Sequence, residues 1–125
     1  MYLNGIFNDN RILEMGMQGL ALRNEVIQNN IANAELPNFK RSNVIFEDVL
    51  QNVVQSYRET GRVNLSRLNP RVVRENTNLS YRLDGNNVDI EAEMVGLYVN
   101  DAKYQTLVGT VINNYRRFNL VLSGR

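Results

Sequence analysis

Residues 88–122 read VDIEAEMVGLYVNDAKYQTLVGTVINNYRRFNLVL, and this stretch decides the fold. Its apolar residues recur in alternating steps of four and three, and no proline interrupts them. The spacing predicts one helix of roughly 50 Å, with acidic residues at its start and Gly124 as its C-terminal cap. The seam positions are Ile90, Met94, Leu97, Asp101, Tyr104, Val108, Val111, Tyr115, Phe118 and Leu122.

A second stretch near the N-terminus repeats this spacing, and Asp9 or Asn10 precedes it as a candidate N-cap. Its seam positions are Leu13, Met17, Leu20, Asn24, Ile27, Ile31 and Ala34. Because a long helix cannot bury its seam against itself, the two stretches are expected to pair as a coiled coil. The predicted fold is mainly α, with long N- and C-terminal heptad helices around a small irregular middle region. We expect a helical arm over 1–36, the middle over 37–87 and a second arm over 88–125, the arms forming one domain.

The middle region begins at Pro37, which pushes the residue before it out of the helical conformation and ends the first helix. Apolar residues at helical spacing predict a short helix over Val44–Tyr57, with Asn43 as its cap. From Thr60 to Asn87 the pattern changes to alternation and turn signals, including Asp84-Gly85. Short strands or extended loops are expected there, around Val72 and Val73 and around Leu79, Tyr81 and Leu83.

Composition excludes several kinds of chemistry. The chain has 125 residues, a formal net charge of +1, and neither Cys nor His. Thiolate nucleophiles, imidazole bases and the usual zinc sites are therefore absent, and we expect no catalysis, metal or cofactor. The acidic group Asp89, Glu91 and Glu93 is interpreted as helix capping. The N-terminus lacks the pattern of a cleavable signal peptide and no run reaches the length of a membrane span, so no membrane insertion is expected.

One basic run is a candidate nucleic-acid surface. It consists of Arg58, Arg62, Arg67, Arg71 and Arg74. Arginines spaced in this way usually form a solvated face or ion pairs, and neither interleaved aromatic residues nor a nucleic-acid motif accompanies them. We therefore expect no nucleic-acid partner, with an Arg-mediated binder kept as an alternative.

Apolar surface on the C-terminal helix exceeds what one partner helix would cover. A second stripe lies beside the seam and consists of Val95, Tyr98, Ala102, Gly109 and Ile112. It predicts packing against several helices, within the chain or between chains. The interior glycines Gly16, Gly19, Gly96 and Gly109 indicate either a close approach of another segment or tolerated defects. Asparagine is also unusually frequent, at twenty residues.

Residues Gln28 to Phe39, QNNIANAELPNF, resemble the N-terminal signature of bacterial flagellar axial proteins, in which NNIAN ends a helix before a TPGY or TPGF turn. The matching positions are Asn29, Asn30, Ile31, Ala32, Asn33, Pro37 and Phe39. Leu36 stands where the family usually has Thr. Asn38 stands where it has Gly, and Asn tolerates the same left-handed conformation.

Three further stretches resemble the proximal rod proteins of the flagellar basal body, the FlgB type: DGNNVDIEAE from Asp84, KYQ at Lys103 to Gln105, and the terminal LSGR. The resemblance implies a structural subunit that leaves through the flagellar type III export apparatus without a cleavable signal. It implies assembly in the periplasm into a hollow rod that transmits torque. The implied partners are itself, other rod subunits, and the membrane-ring and export-gate junction proteins at the rod base. Another short rod subunit, a coiled-coil adaptor and a secretion-needle component remain alternatives.

The seams supply the expected assembly interface. Asn24 and Asp101, the polar seam residues, are expected to specify alignment if buried, and solvent exposure is the alternative for Asp101. The predicted interface consists of Leu13, Met17, Leu20, Asn24, Ile27, Ile31, Ile90, Met94, Leu97, Tyr104, Val108, Val111, Tyr115, Phe118 and Leu122.

Overall fold

The computed structural model describes residues 2–64, 66, 68–75 and 85–124, with side chains from residue 7 onward. Over these residues the chain forms three helices and one two-stranded antiparallel sheet. The elements are α1 (Tyr2–Ala32), β1 (Ser42–Ile45), α2 (Glu47–Thr60), β2 (Arg71–Arg74) and α3 (Ile90–Ser123). The prediction of a mainly helical chain with long terminal helices and a small mixed middle region is confirmed.

Helix α1 begins at Tyr2, well before the predicted start near Leu13. The expectation that Asp9 or Asn10 caps the helix is wrong, because both lie inside it. Contacts with α3 extend along this first part: the rings of Phe7 and Phe118 meet edge to face with centroids 5.8 Å apart. The predicted break before Pro37 is confirmed, since α1 ends at Ala32. Asn38 has a φ of 60°, the left-handed conformation expected at that position.

Helix α3 begins and ends as the sequence predicts. Asp89 is its N-cap, and the Asp89 carboxylate accepts hydrogen bonds from the backbone N–H groups of Glu91 (3.0 Å) and Ala92 (3.2 Å). These bonds satisfy donors that the first turn leaves unpaired. Gly124, with a φ of 64°, is the C-terminal cap.

The short middle helix begins later than predicted, at Glu47 instead of Val44. Residues 42–45 form β1, which pairs with β2 from Ser42 opposite Arg74 to Ile45 opposite Arg71. Asn43 is therefore not a helix cap, because cross-strand pairing holds its backbone extended. The expected strand at Val72 and Val73 is β2. The predicted strand residues Leu79, Tyr81 and Leu83, and Asp84 of the predicted turn, lie outside the described residues.

Helix α1 lies at the centre of the fold, antiparallel to α3 and also in contact with β1 and α2. One buried apolar cluster consists of Leu20, Val26, Val44 and Phe46, with Leu22, Leu50, Tyr104 and Leu107 packed against it. At Gly19 the Phe46 ring lies so close that a Cβ would stand 2.6 Å from its Cδ2 atom. For Gly19, the close approach suggested by the sequence is confirmed. Gly109 has open space around it.

Candidate assembly surface and polar clasp

The face of α3 that meets α1 carries polar as well as apolar residues. Glu93, Asn100, Leu107 and Asn114 stand on it at seven-residue intervals. Asn100 is buried, and its Nδ2 donates to the backbone carbonyl of Leu20 at 2.8 Å. The Nδ2 of Asn114 donates to Asn10 Oδ1 at 3.0 Å. The seam between the helices is therefore aligned by hydrogen bonds as well as by apolar packing.

The predicted seam of α3 is correct in one half and one residue out of phase in the other. Its partly buried members are Ile90, Leu97, Tyr104, Val108, Val111 and Phe118. Its exposed members are Met94, Asp101, Tyr115 and Leu122. As positions of the α1–α3 seam these four are wrong, because they are exposed. Glu93 and Asn100 are buried in place of Met94 and Asp101, and Asn114 is partly buried beside Tyr115. Asp101 is exposed, so it cannot specify alignment inside this pair; any contact of the four with other subunits stays a prediction.

On α1 the predicted seam agrees better with the structure. Leu20, Ile27 and Ala34 are buried, and Leu13, Met17, Asn24 and Ile31 are partly buried. Helix α1 is covered on two sides, by α3 and by β1 with α2, so it buries side chains over a wide arc. A seam predicted slightly out of phase would therefore still fall on buried or partly buried positions. The role of Asn24 in alignment stays a prediction.

A buried polar network closes the end of the pair where α1 finishes and α3 begins. Asn30 is fully buried, with 0% of its surface exposed. Its Nδ2 donates to the carbonyl of Ser42 at 2.8 Å and to Glu93 Oε2 at 3.3 Å, and its Oδ1 accepts from the Ser42 N–H at 2.9 Å. One side chain thus joins α1, the start of β1 and α3.

Glu93 is 4% exposed, and the positive charge of Arg41 compensates its buried negative charge. Arg41 Nε donates to Glu93 Oε1 at 2.6 Å, and the same guanidinium pairs with Glu75. Burial by itself lowers the pKa of Arg41, but the hydrogen bonds and charges of Glu93 and Glu75 outweigh it and raise the pKa above its ordinary value. The guanidinium stays charged, so the buried carboxylate keeps the partner that its burial requires.

Two further asparagines attach the segment before α3 to the segment after α1. Asn86 Oδ1 accepts from the N–H of Phe39 at 2.9 Å, and its Nδ2 donates to the carbonyl of Ala34 at 2.6 Å. Asn87 Oδ1 accepts from the N–H of Arg41 at 2.8 Å. These bonds satisfy backbone groups of the loop between α1 and β1. We call Asn30, Arg41, Asn86, Asn87 and Glu93 together the polar clasp.

The polar clasp joins two of the four stretches that carry the family resemblance, QNNIANAELPNF and DGNNVDIEAE. The first contributes the buried Asn30, and its motif residues Ile31 and Phe39 are partly buried. Asn33 Nδ2 donates to the Asn29 carbonyl at 2.8 Å and closes the end of α1, while Ala32 and Pro37 are exposed. From the second come Asn86, Asn87 and Glu93. Sequence reasoning missed these three as a site, although the excess of asparagine was a usable signal. The interpretation of Glu93 as helix capping is wrong, because its carboxylate binds Arg41 and Asn30.

Two apolar surfaces of α3 face outward. The outer stripe, defined as Val95, Tyr98, Ala102, Gly109 and Ile112, is exposed throughout, with 61% of Val95 and 69% of Tyr98 accessible. The C-terminal tip, defined as Leu120, Val121 and Leu122, is also exposed, with 80% of Val121 accessible. The prediction of apolar surface beyond what one partner helix covers is confirmed.

A groove of about 510 Å³ lies between α1, α2 and α3. Its apolar walls are formed by Leu20, Phe46, Leu50, Val99, Ala102 and Leu107. At its rim Arg23 Nη1 donates to Glu47 Oε1 at 2.6 Å, and Lys103 Nζ lies 3.7 Å from the same oxygen. The hydrogen bond from Arg23, with the charges of Arg23 and Lys103, lowers the pKa of Glu47 below its ordinary value.

The remaining candidate chemistry is sparse. Within the described ranges, no group of three Asp or Glu side chains is placed to hold a metal ion. None of the helices in that part of the chain combines the length and apolarity needed to cross a bilayer. Arg58, Arg62, Arg71 and Arg74 are exposed, and Arg67 lies outside the described residues.

A helical chain whose polar clasp is hydrogen-bonded in the interior, and whose longest helix exposes apolar side chains, has the build of a subunit that binds other subunits. The chain is 33% identical over 118 residues to the flagellar basal body rod protein FlgB of Borrelia hermsii, covering 82% of this chain and 87% of the relative. It is 31% identical over 119 residues to FlgB of Bacillus subtilis, covering 90% and 91%. No protein-family model matches the chain.

The chain therefore belongs to the FlgB family of flagellar basal body rod proteins. It is a structural subunit of the basal-body rod and assembles with other rod components, as the resemblance in the sequence predicted.

Proposed function

We propose that the chain assembles through its terminal helices into the hollow rod, and that the outer stripe of α3 is a principal contact with neighbouring subunits. The exposure of this stripe is the observation that carries the proposal. Burial of apolar surface stabilises by about 25 cal/mol per Å², so contacts of this kind favour association strongly. The residues 1–36 and 88–125 then act as one assembly unit, with 37–87 inserted between them.

The predicted interface residues fit this role in two groups. Leu20 and Ile27 are buried against the rest of the subunit and support the helices from inside. Met94, Tyr115 and Leu122 lie outside the α1–α3 seam and are available to neighbours. A rod built of such subunits transmits torque because each helix is fixed by its own chain on one side and by other chains on the other.

We also propose where the rod lies, how the chain reaches it and which proteins it meets there. The rod crosses the periplasm, and the chain reaches it through the flagellar export apparatus. At the rod base it meets the membrane-ring and export-gate junction proteins. It acts without a cofactor and catalyses no reaction. The support is family membership together with a fold whose buried polar residues are engaged in structural hydrogen bonds.

The test replaces the exposed Val95 by Asp. The substitution leaves the fold intact, because surface changes usually alter stability by no more than about 0.5 kcal/mol. In the rod it places a carboxylate in an apolar contact that recurs in every subunit. We expect Val95→Asp to abolish swimming and rod incorporation at normal expression and export.

The matched control is Asn119→Asp, at an exposed and already polar position of the same helix. It is expected to swim normally. Normal swimming of Val95→Asp, or equal loss in both variants, would contradict the role of the outer stripe.

A further inference from the structure

We propose that a cleft between α1 and α3, around Asn24 and Asn100, binds a hard metal cation of the size of Ca²⁺. The proposal concerns the isolated subunit and goes beyond its role in the rod. It departs from the expectation of no metal, which rested on composition and on the acidic group at the start of α3. Two buried amide oxygens without a partner, and two carboxylates that line the same cleft, carry the proposal.

The cleft has a volume of about 390 Å³ and lies between the second half of α1 and the first half of α3. Glu25 lines it from α1 and Asp101 from α3, and both are exposed. Neither carboxylate forms an ion pair with a described residue, and none of the described residues that line the cleft is a Lys or Arg. The cleft therefore carries negative charge that its own lining does not neutralise.

The side chain of Asn100 supplies an independent sign of a ligand. It is 3% exposed, and its Nδ2 donates to the Leu20 carbonyl at 2.8 Å. This bond fixes the orientation of the amide, because a flipped amide would set two acceptor oxygens against each other. The Oδ1 atom of Asn100 is buried and has no hydrogen-bond partner among the described residues. Such unpaired buried acceptors are rare in folded proteins, and an ion is one of their ordinary explanations.

Asn24 presents a second oxygen of the same kind from α1. Its Oδ1 is also buried and also lacks a hydrogen-bond partner within the part of the chain that the structure describes. Asn24 follows Leu20 by about one helical turn. Since the Asn100 amide is bonded to the Leu20 carbonyl, both amides reach the same part of the cleft. A positive ion between the two oxygens satisfies both of them at once.

The size of the ion follows from the burial of these oxygens. A hydrogen-bonded water or ammonium group stands about 2.7–3.0 Å from its acceptor, and both oxygens are closed to water. Ca²⁺ lies only about 2.3–2.6 Å from its ligands, which are typically carboxylate and amide oxygens. Mg²⁺ requires nearly ideal octahedral geometry and keeps several waters, so it suits a largely dehydrated site less well.

The exposed carboxylates of Glu25 and Asp101 complete the set of ligands. Together with the two amide oxygens they supply about four to six of the six to eight oxygens that Ca²⁺ takes, and water supplies the rest. With only two charged ligands, at an open rim, we expect a dissociation constant of roughly 10⁻⁴–10⁻³ M. The ion joins α1 to α3 and takes no part in any reaction.

Calorimetric titration of Ca²⁺ into the purified, chelator-treated subunit tests the proposal. We expect binding at one site, and in about 10 mM Ca²⁺ a rise of the thermal unfolding midpoint by at least about 3 °C. Mg²⁺ at the same concentration is expected to produce less than half of this rise. Failure to detect calcium binding, or an equal rise with Mg²⁺, would overturn the proposal.

The double variant Glu25→Gln/Asp101→Asn removes both charges of the cleft and keeps the shapes of the side chains. Its affinity for Ca²⁺ is expected to fall at least about tenfold. The matched control is Glu14→Gln/Glu91→Gln, which removes one exposed carboxylate from each of the same helices outside the cleft. The control is expected to bind Ca²⁺ like the wild type. An equal loss of affinity in both variants would indicate general ionic attraction and overturn the site.

Asn24→Leu separates an ion site from a simple defect of packing. The change removes a buried acceptor that lacks a partner, so the calcium-free variant is expected to be at least as stable as the wild type. Its calcium-induced rise of the unfolding midpoint is expected to be lost. An undiminished rise would overturn the role of the amide oxygens. All these measurements use the isolated subunit, so a negative result leaves the proposed assembly of the rod untouched.

Discussion

At the clasp end of the α1–α3 pair, polar side chains are buried and bound, whereas at the far end of α3 large aliphatic side chains are exposed. Asn30 is fully buried and makes three hydrogen bonds to two other segments. Val121, close to the other end of α3, is 80% exposed. Polarity and burial are thus reversed between the two ends of one helix pair.

The reversal separates two tasks. A buried polar network is satisfied in only one arrangement of its segments, so the clasp fixes how α1, the loop after it and α3 meet. Apolar packing tolerates sliding and is less selective. By using hydrogen bonds to specify its own fold, the subunit keeps apolar surface on α3 for contacts with other subunits.

The largest expected effect on stability follows from breaking the clasp with Asn30→Ala. The substitution leaves the N–H and carbonyl of Ser42 and one oxygen of Glu93 without their partner. A buried polar group left unpaired costs about 1–3 kcal/mol. We expect the free energy of unfolding to fall by about 3 kcal/mol in denaturant titrations.

Asn29→Ala is the control, because Asn29 is the exposed neighbour in the same motif. It is expected to cost about 0.5 kcal/mol or less. Similar losses for both variants would show that Asn30 does not act through the clasp.

A smaller effect on stability is expected when alanine replaces a buried glycine, Gly19, or an exposed one, Gly109. In Gly19→Ala the new Cβ meets the Phe46 ring at 2.6 Å. Overpacking of this kind costs about 1–3 kcal/mol, more than the gain in helix propensity. Gly109 has open space, so Gly109→Ala is expected to raise the free energy of unfolding of the free subunit by about 0.5–1 kcal/mol. Changes of the same sign in thermal unfolding would contradict the difference in packing.

The smallest expected effect is the loss of stability at low pH that follows from protonation of Glu47. The hydrogen bond from Arg23 lowers the pKa of Glu47 in the folded chain below its ordinary value of 4.5. This ion pair therefore adds stability above about pH 4.5, and the contribution is lost as the pH falls through the lower, folded-state pKa. Because Glu47 is exposed, the contribution is below about 1 kcal/mol.

Unfolding titrations of the wild type and Glu47→Gln at neutral pH and below the folded-state pKa test this. The difference in stability between the two proteins is expected to shrink on acidification. A difference that is constant across this range, or that grows toward low pH, would contradict the assignment.

The period of the helices could be predicted from the sequence, but the phase of α3 could not. Steps of four and three correctly mark a long helix, and Leu97, Tyr104, Val111 and Phe118 lie on the face toward α1. At the alternate seam positions the sequence favours apolar residues such as Met94, because apolar side chains are normally the buried ones. Burial of Glu93 becomes favourable only once Arg41 and Asn30 are known to lie beside it.

The clasp depends on contacts between distant residues, which no local pattern reveals. Asn86 binds Ala34 and Phe39 across about fifty residues of chain. The sequence predicts the start of α2 too early for the same reason. Residues 42–45 are extended because they pair with β2, and this pairing is not visible in their own sequence. Only the excess of asparagine and the family motif pointed to this site before the structure did.

The outer stripe of α3 is exposed in the subunit, and we expect it to be covered in the rod. Tyr98→Cys in this cysteine-free chain measures it directly, as the rate of alkylation in the purified subunit, in intact basal bodies and in denatured basal bodies. We expect rapid alkylation of the free subunit, where Tyr98 is 69% exposed, and protection in intact basal bodies that denaturation removes. Equal rates in the free subunit and in swimming-competent, intact basal bodies would contradict it.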